Sequence, residues 1–176
     1  MISEKYQIIR LLGEGGAGKT YEAEDISNKQ RVAIKVVSLR QIKNWKVIDL
    51  LEREAETLAN LNHPAIPKYI DYFYRDTSSD RYFYLVRELI TGESLFDLVE
   101  RGWQANETEA KEIALQILEI LQYLHQQKPP VIHRDIKPQN LIKSQDGKIY
   151  LVDFGSVKEA YRQTIIRNST FVGTLG

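Results

Sequence analysis

An α+β fold is predicted by three features of the 176-residue sequence. Strand-like runs separated by turns open the chain, and a single amphipathic helical stretch interrupts them. Two further strand-like runs then give way to a predominantly helical second part. Together they describe a five-stranded antiparallel sheet carrying one helix, followed by a helical region.

The first strand is expected over Tyr6–Leu12, before the stretch "GEGGAGKT" (13–20). That stretch satisfies two phosphate-binding patterns. As G-x-x-x-x-G-K-T it is a P-loop, in which Lys19 and Thr20 would meet nucleotide phosphates and magnesium. As G-x-G-x-x-G, through Gly13, Gly15 and Gly18, it is a flap between two strands that folds over a nucleotide. A P-loop requires a helix directly after it, to aim N–H groups and the positive dipole end at phosphate. Here Ser27–Gln30 is turn-like, and Arg31–Val37 is rich in β-branched residues. Strand, glycine turn, strand, turn, strand leaves no room for that helix, and the flap is the better reading. A third possibility, that the glycines only make a hairpin turn, is not removed by this segment alone.

In "VAIKVV" (32–37) the strand period of two puts Ala33 and Lys35 on one face and Val32, Ile34 and Val36 on the other. A small residue beside an ammonium leaves room for a flat ligand. From Trp45 to Leu61 the pattern is helical, with Val47, Leu51, Leu58 and Leu61 on one stripe and Glu54 in the middle of it. A carboxylate facing a core needs a partner, and Lys35 is the candidate. Such a pair would hold the lysine against phosphate.

Strands are expected over Tyr69–Arg75 and Arg81–Leu89, around the turn Asp76–Asp80, with Gly92 taking the bend that leaves the sheet. A short helix near Ser94–Arg101 precedes a long one over Glu107–Gln126, capped by Asn106. Its expected core stripe is Ala110, Ile113, Ala114, Ile117, Leu118, Leu121 and Leu124.

The chemistry concentrates in "VIHRDIKPQNLI" (131–142) and "LVDFG" (151–155). Phosphoryl transfer from ATP needs magnesium on oxygen ligands, a carboxylate beside the attacking hydroxyl, and a cation on the transferred group. Asn140 and Asp153 can supply the first, Asp135 the second and Lys137 the third.

These segments, in this order, resemble the eukaryotic-type (Hanks-type) serine/threonine protein kinases. The resemblance runs from Tyr6 to Gly176 and rests on the three glycines, "VAIK" ending at Lys35, Glu54, "HRDIKPQN" and "DFG". Lys137 resembles the serine/threonine rather than the tyrosine pattern, and "GESL", "HPAIP" and "IKPQN" resemble bacterial members, cyanobacterial ones among them, in style. The resemblance implies a bilobal fold, with residues 1–90 as the ATP-binding lobe and 91–176 as part of the catalytic lobe. It implies ATP and Mg2+ as cofactors, and Lys35, held by Glu54, on the α- and β-phosphates. The backbone of Glu88 and Ile90 would meet the adenine edge, with Ala33 and Ile142 sandwiching the ring. Asp135 would orient a serine or threonine hydroxyl, and Asn140 and Asp153 would bind magnesium. His133, Phe154, Leu58 and Tyr69 would stack between the lobes, and Arg134 would answer a phosphorylated loop.

Two residues depart from the pattern. Thr20 stands where valine is usual over the adenine. Arg87, just before the hinge, replaces a medium apolar residue and is close enough in expectation to draw Glu54 away from Lys35. After "DFG", Ser156–Gly176 reads as an activation segment with Thr164, Ser169 and Thr170 as candidate phosphoacceptors, the last two favoured for autophosphorylation. The helices that follow in the family are not in this sequence, so a fragment of a longer protein is expected. A non-catalytic ATP-binding interaction module is the alternative.

Bulk composition narrows the partners. Lysine plus arginine equals aspartate plus glutamate at 24 each, so net charge offers no general attraction for nucleic acid or anionic membrane. Cysteine is absent, which removes disulfides and fits a reducing compartment. No apolar run spans a bilayer, and a cytoplasmic protein acting on protein substrates is expected.

Overall fold

A computed structural model describes residues 4–15, 18–41 and 46–159. In chain order the elements are β1 (Tyr6–Gly15), β2 (Gly18–Asp25), β3 (Arg31–Ser38), α1 (Lys46–Asn60), β4 (Tyr69–Asp76), β5 (Arg81–Glu88), β6 (Glu93–Ser94), α2 (Leu95–Glu100), α3 (Glu107–His125), β7 (Val131–Ile132), β8 (Leu141–Lys143), β9 (Ile149–Leu151) and β10 (Lys158–Glu159). A 3-10 turn covers Pro138–Asn140 between β7 and β8. The expected activation-segment phosphoacceptors Thr164, Ser169 and Thr170 lie outside the described residues, as does Trp45.

Five strands form an antiparallel sheet in the order β1-β2-β3-β5-β4. The last two strands do not simply extend the meander: β5 lies beside β3, and β4 takes the outer edge. The side chains explain the exchange. Phe83 through Arg87 are buried without a break, so β5 needs a neighbour on each side. β4 carries Asp71, Arg75 and Asp76 and is nowhere fully buried. Charges suit an edge strand, where they discourage pairing with other chains. The crossover through α1 makes the order possible.

Alternation along β3 gives the sheet two different faces. Val32 and Ile34 join Tyr6, Ala23, Tyr84 and Val86 in a closed apolar cluster on one of them. The opposite face carries Val37, Phe83 and Leu85, which pack with Ile48, Leu51, Ala55 and Leu58 of α1. These helix positions recur at intervals of three and four residues, the period of a buried helical stripe. The same core continues into the second part of the molecule through Phe154, Leu141, Leu151, Ile120 and Leu124. It therefore fixes the sheet against the helical region.

The helix starts follow local chemistry. Ser94 caps α2 by accepting the Asp97 amide at 3.0 Å. Asn106 caps α3 as expected, and Glu109 reaches back to the Asn106 amide, completing a reciprocal capping box with both bonds at 3.0 Å. The buried stripe of α3 differs from the expected one. Ile120 and Leu124 are its buried residues, with Ile113, Ile117 and Leu121 packed beside them, whereas Leu118, Ala110 and Ala114 are exposed. The helix rests on β7 and β9 along a narrow contact, so the i, i+4, i+7, i+11 line is covered, with Leu121 beside it. No described helix is long and apolar enough to cross a membrane.

Gly92 makes the bend after β5 at very close quarters. A Cβ there would stand 2.5 Å from the Lys143 carbonyl oxygen.

Candidate active site

The strand after Gly18 settles the choice between the two glycine loops. β2 pairs with β3 from Lys19 to Glu24, so no helix follows Thr20 and the P-loop reading is excluded. Gly18 has φ +119°, and a Cβ there would collide with the Val36 carbonyl oxygen at 2.2 Å. Only glycine lets β2 start this close to β3.

Strand register then places the side chains. Thr20 lies opposite Lys35, and Lys35 opposite Leu85. Ala33 lies opposite Arg87. Lys35 is buried, and its Nζ donates to Glu54 Oε2 at 2.6 Å. The same Nζ is 3.5 Å from Asp153 Oδ1. A strand, a helix and the segment after β9 thus meet at one ammonium group. Glu54, expected on the core stripe of α1, is fully buried there.

Arg87 is buried as well, with Nη1 3.8 Å from Glu54 Oε1. The expectation that it would draw Glu54 away from Lys35 is therefore corrected. The carboxylate divides its two oxygens, one hydrogen-bonded to Lys35 and the other facing Arg87 beyond hydrogen-bond range.

The catalytic-loop segment is organised by its own hydrogen bonds. Asn140 Nδ2 donates to the Asp135 carbonyl at 2.9 Å and to Asp135 Oδ2 at 3.1 Å. Lys137 Nζ lies 2.8 Å from the same Oδ2, and this hydrogen bond holds its ammonium above the usual lysine range. His133 is buried edge-on against Phe154, with ring centroids 5.0 Å apart. Leu58 belongs to the same core and Tyr69 packs against it. Arg134 has φ +66° and donates through Nε to the Ser156 carbonyl at 2.7 Å. The Val152 amide donates to the Asn140 carbonyl at 3.1 Å, tying the loop to the Asp153 segment.

Burial pushes the Asp153 carboxyl upward, but Lys35, the Gly155 amide and Arg87 more than reverse this. The group therefore sits below the ordinary aspartate range and stays ionised at neutral pH.

A cavity of about 450 Å³ joins these groups, a size suited to a small ligand. Its walls include Gly13, Gly15, Gly18, Thr20, Ala33, Lys35, Glu88, Ile90, Lys137, Asn140, Ile142 and Asp153. Glu54 and Asp135 are outside that lining and meet Lys35 and Asp153 around an adjoining space of about 220 Å³. A larger hollow of about 730 Å³, between Glu88–Glu93 and Lys143–Asp146, contains none of Lys35, Asp135, Asn140 or Asp153. Leu12, Pro67, Leu89, Gln139 and Val152 also line the 450 Å³ cavity and escaped the sequence reading. Leu12 and Val152 adjoin motif residues, whereas Pro67, which ends "HPAIP" (63–67), has no local pattern that points to a cavity.

The donor set suits a nucleotide with magnesium. Asn140 donates through Nδ2, which leaves Oδ1 without a hydrogen-bond partner among the described residues. Asp153 uses Oδ1 for Lys35 and Gly155, and Oδ2 is similarly left over. Among the described residues no group of three or more His, Cys, Asp or Glu could hold a metal by itself. Magnesium that shares its shell with phosphates and water needs only one or two protein carboxylates.

Comparison with known proteins agrees with the geometry. The family described as the protein kinase domain matches residues 6–176. A Synechocystis protein named serine/threonine-protein kinase B is 40% identical over 176 residues, covering 96% of this chain and 30% of the relative. Serine/threonine-protein kinase PrkC of Bacillus subtilis is 32% identical, covering 99% of this chain and 26% of the relative. Serine/threonine-protein kinase PknA of Nostoc is 34% identical, covering 91% and 29%. The chain thus spans less than a third of the length of these relatives.

Proposed function

Because this chain belongs to the protein kinase domain family, we propose that its cleft transfers the γ-phosphoryl group of ATP to serine or threonine hydroxyls of proteins, with Mg2+ as cofactor. The observation that carries the reading is the position of Lys35 Nζ, 2.6 Å from Glu54 and 3.5 Å from Asp153. An ammonium so placed can turn to a polyphosphate while the carboxylates take up helix and metal. The relatives' names support the serine/threonine class.

In this reading residues 1–90 form the nucleotide lobe and 91–176 the first part of the catalytic lobe. Gly13, Gly15 and Gly18 close over the phosphates. Thr20, Ala33 and Ile142 flank the base, whose edge meets the backbone of Glu88 and Ile90. Lys35, held by Glu54, orients the phosphates. Asn140 and Asp153 would hold magnesium, which neutralises charge that develops on the phosphoryl oxygens. Asp135 Oδ2 accepts the hydroxyl proton, and the Asn140 amide keeps that carboxylate aimed. Lys137 lies close enough to balance charge on the transferred group. Ser169 and Thr170 are proposed sites of autophosphorylation.

The test is mass spectrometry of the full-length protein after incubation with ATP and Mg2+. Added phosphate is expected in the native protein and absent in Asp135→Asn. No mass shift in either form, with nucleotide binding retained, would make the chain a non-catalytic binding module instead.

A further inference from the structure

The proposed chemistry leaves one buried cation unused. Arg87 is 8% exposed, and its guanidinium donates no hydrogen bond to any described residue. Nη1 faces Glu54 Oε1 across 3.8 Å, beyond the roughly 2.7–2.9 Å of a charge-assisted hydrogen bond. A guanidinium carries its N–H donors in a fixed planar fork, and such donors stay out of water only where acceptors meet them. The acceptors for this fork belong to whatever occupies the space beside it.

That space is the nucleotide cavity. Arg87 lines the hollow of about 450 Å³ together with Ala33, Glu88 and Ile90. Only Nη1 of its nitrogens is fully enclosed without a partner, which leaves the Nε–Nη2 edge of the fork to open on the cavity. Strand register sets the level at which it does so. Arg87 pairs with Ala33, which flanks the base in the reading above, whereas Lys35, at the phosphates, pairs with Leu85. Arg87 also directly precedes Glu88, whose backbone meets the edge of the base in that reading. Two adjacent donors thus stand beside the base.

Base chemistry then decides what fits. Guanine presents two acceptors side by side, O6 and N7, the pair that an arginine fork takes bidentately. Hypoxanthine carries the same two atoms. Adenine keeps N7 but places an amino donor at position 6, which sets donor against donor.

We propose that Arg87 reads the base, and that the cleft takes 6-oxopurine nucleoside triphosphates such as GTP and ITP alongside ATP. The inference rests on the nucleotide-site reading above and names a further ligand class for that site. Lys35 keeps its bond to Glu54 throughout and remains on the phosphates.

Displacement of a fluorescent ATP analogue from the full-length protein, with Mg2+ present, gives Kd for ATP, GTP, ITP and 7-deaza-GTP. GTP and ITP are expected within about ten-fold of ATP, and 7-deaza-GTP, which lacks the N7 acceptor, at least about five-fold weaker than GTP. ITP alone within that limit supports the Arg87 contact and narrows the class to bases without a 2-amino group. Neither within it overturns the proposal. Arg87→Gln is the sharper test, because an amide side chain donates to N7 and accepts from the 6-amino group of adenine. It should shift the ratio of ITP to ATP affinity toward ATP by at least about five-fold. A structural role for Arg87, or a contact with phosphate, weakens all the nucleotides together, and a smaller shift in that ratio overturns the proposal. Should Arg87→Gln not fold, the native protein decides: 7-deaza-GTP binding as tightly as GTP sinks the idea. Failure of the native protein to bind the fluorescent analogue removes the nucleotide-site reading itself, a separate result that takes this inference with it.

Discussion

Two charged clusters face one cleft, and they are built in opposite ways. On the sheet side the Lys35, Glu54 and Arg87 side chains are 10%, 0% and 9% exposed. On the loop side Asp135 and Lys137 are 33% and 45% exposed. The sealed cluster sits in a low-dielectric core, where a charge without a partner is strongly unfavourable. The open cluster shares its charge with solvent, and its ion pair adds little to stability. Stability and chemistry should therefore separate: loop-side substitutions report on the reaction, and sheet-side substitutions disturb the fold first.

The largest effect is expected at Asp135. Asp135→Asn keeps the side-chain shape and loses one half-exposed ion pair, so its unfolding free energy should stay within about 1 kcal/mol of native. Its turnover should fall roughly 10²- to 10⁴-fold if the carboxylate handles the proton. Steady-state phosphorylation assays beside urea unfolding give both numbers. Glu54→Ala is the counterpart on the sealed side. It leaves Lys35 and Arg87 facing each other without their shared anion, and should lower stability by about 3–5 kcal/mol in the same urea experiment. Equal stability losses for the two variants would erase the contrast.

The same division runs through the glycine loop. Gly18→Ala forces a side chain at positive φ into the Val36 carbonyl and should lose about 1–3 kcal/mol. A Cβ on Gly15 would meet nothing within 4 Å, so Gly15→Ala should stay within about 0.5 kcal/mol of native stability. Any change in Gly15→Ala should appear in nucleotide affinity, read by fluorescence titration.

The smallest effect belongs to His63, half-buried and away from the cleft. Burial, with Lys148 adding to it, pushes its imidazole pKa below the usual value, and its Nδ1 accepts the Ala65 amide at 3.1 Å. The folded state thus favours the neutral ring, while the unfolded chain takes up a proton near pH 6.5. This contribution is complete above about pH 6.5 and is lost as the pH falls toward the lower folded value. Between pH 7.5 and 5.5 the Tm of His63→Asn should fall less than that of the native protein, by on the order of a degree or two.

Much of this arrangement was legible before any coordinates. The strand period around Lys35, the helical stripe that includes Glu54, the Asn106 cap and the spacing of Asp135, Asn140 and Asp153 are local patterns. Each depends on residues a few positions apart along the chain. The β5-β4 order was hidden because it depends on how many buried neighbours each strand needs. The rotation of α3 was hidden because its sequence offers more apolar residues than its neighbours cover, and only packing selects among them. Arg87 could be marked as unusual from its position, but its effect was misjudged. Whether a guanidinium steals a carboxylate or stands beside it is a matter of about 1 Å, well inside what strand and helix placement decides.

The amino-acid sequence by itself determined which side chains would carry charge into the core and which turns required glycine, because periodicity and backbone freedom are properties of short segments. The pairing of Lys35 with Glu54 could be expected from the strand and helix periods, but only the tertiary structure decided the distances at which Lys35, Glu54, Arg87 and Asp153 meet. That meeting depends on the angle between sheet and helix and on the reach of side chains far apart in the chain, neither of which a local pattern contains.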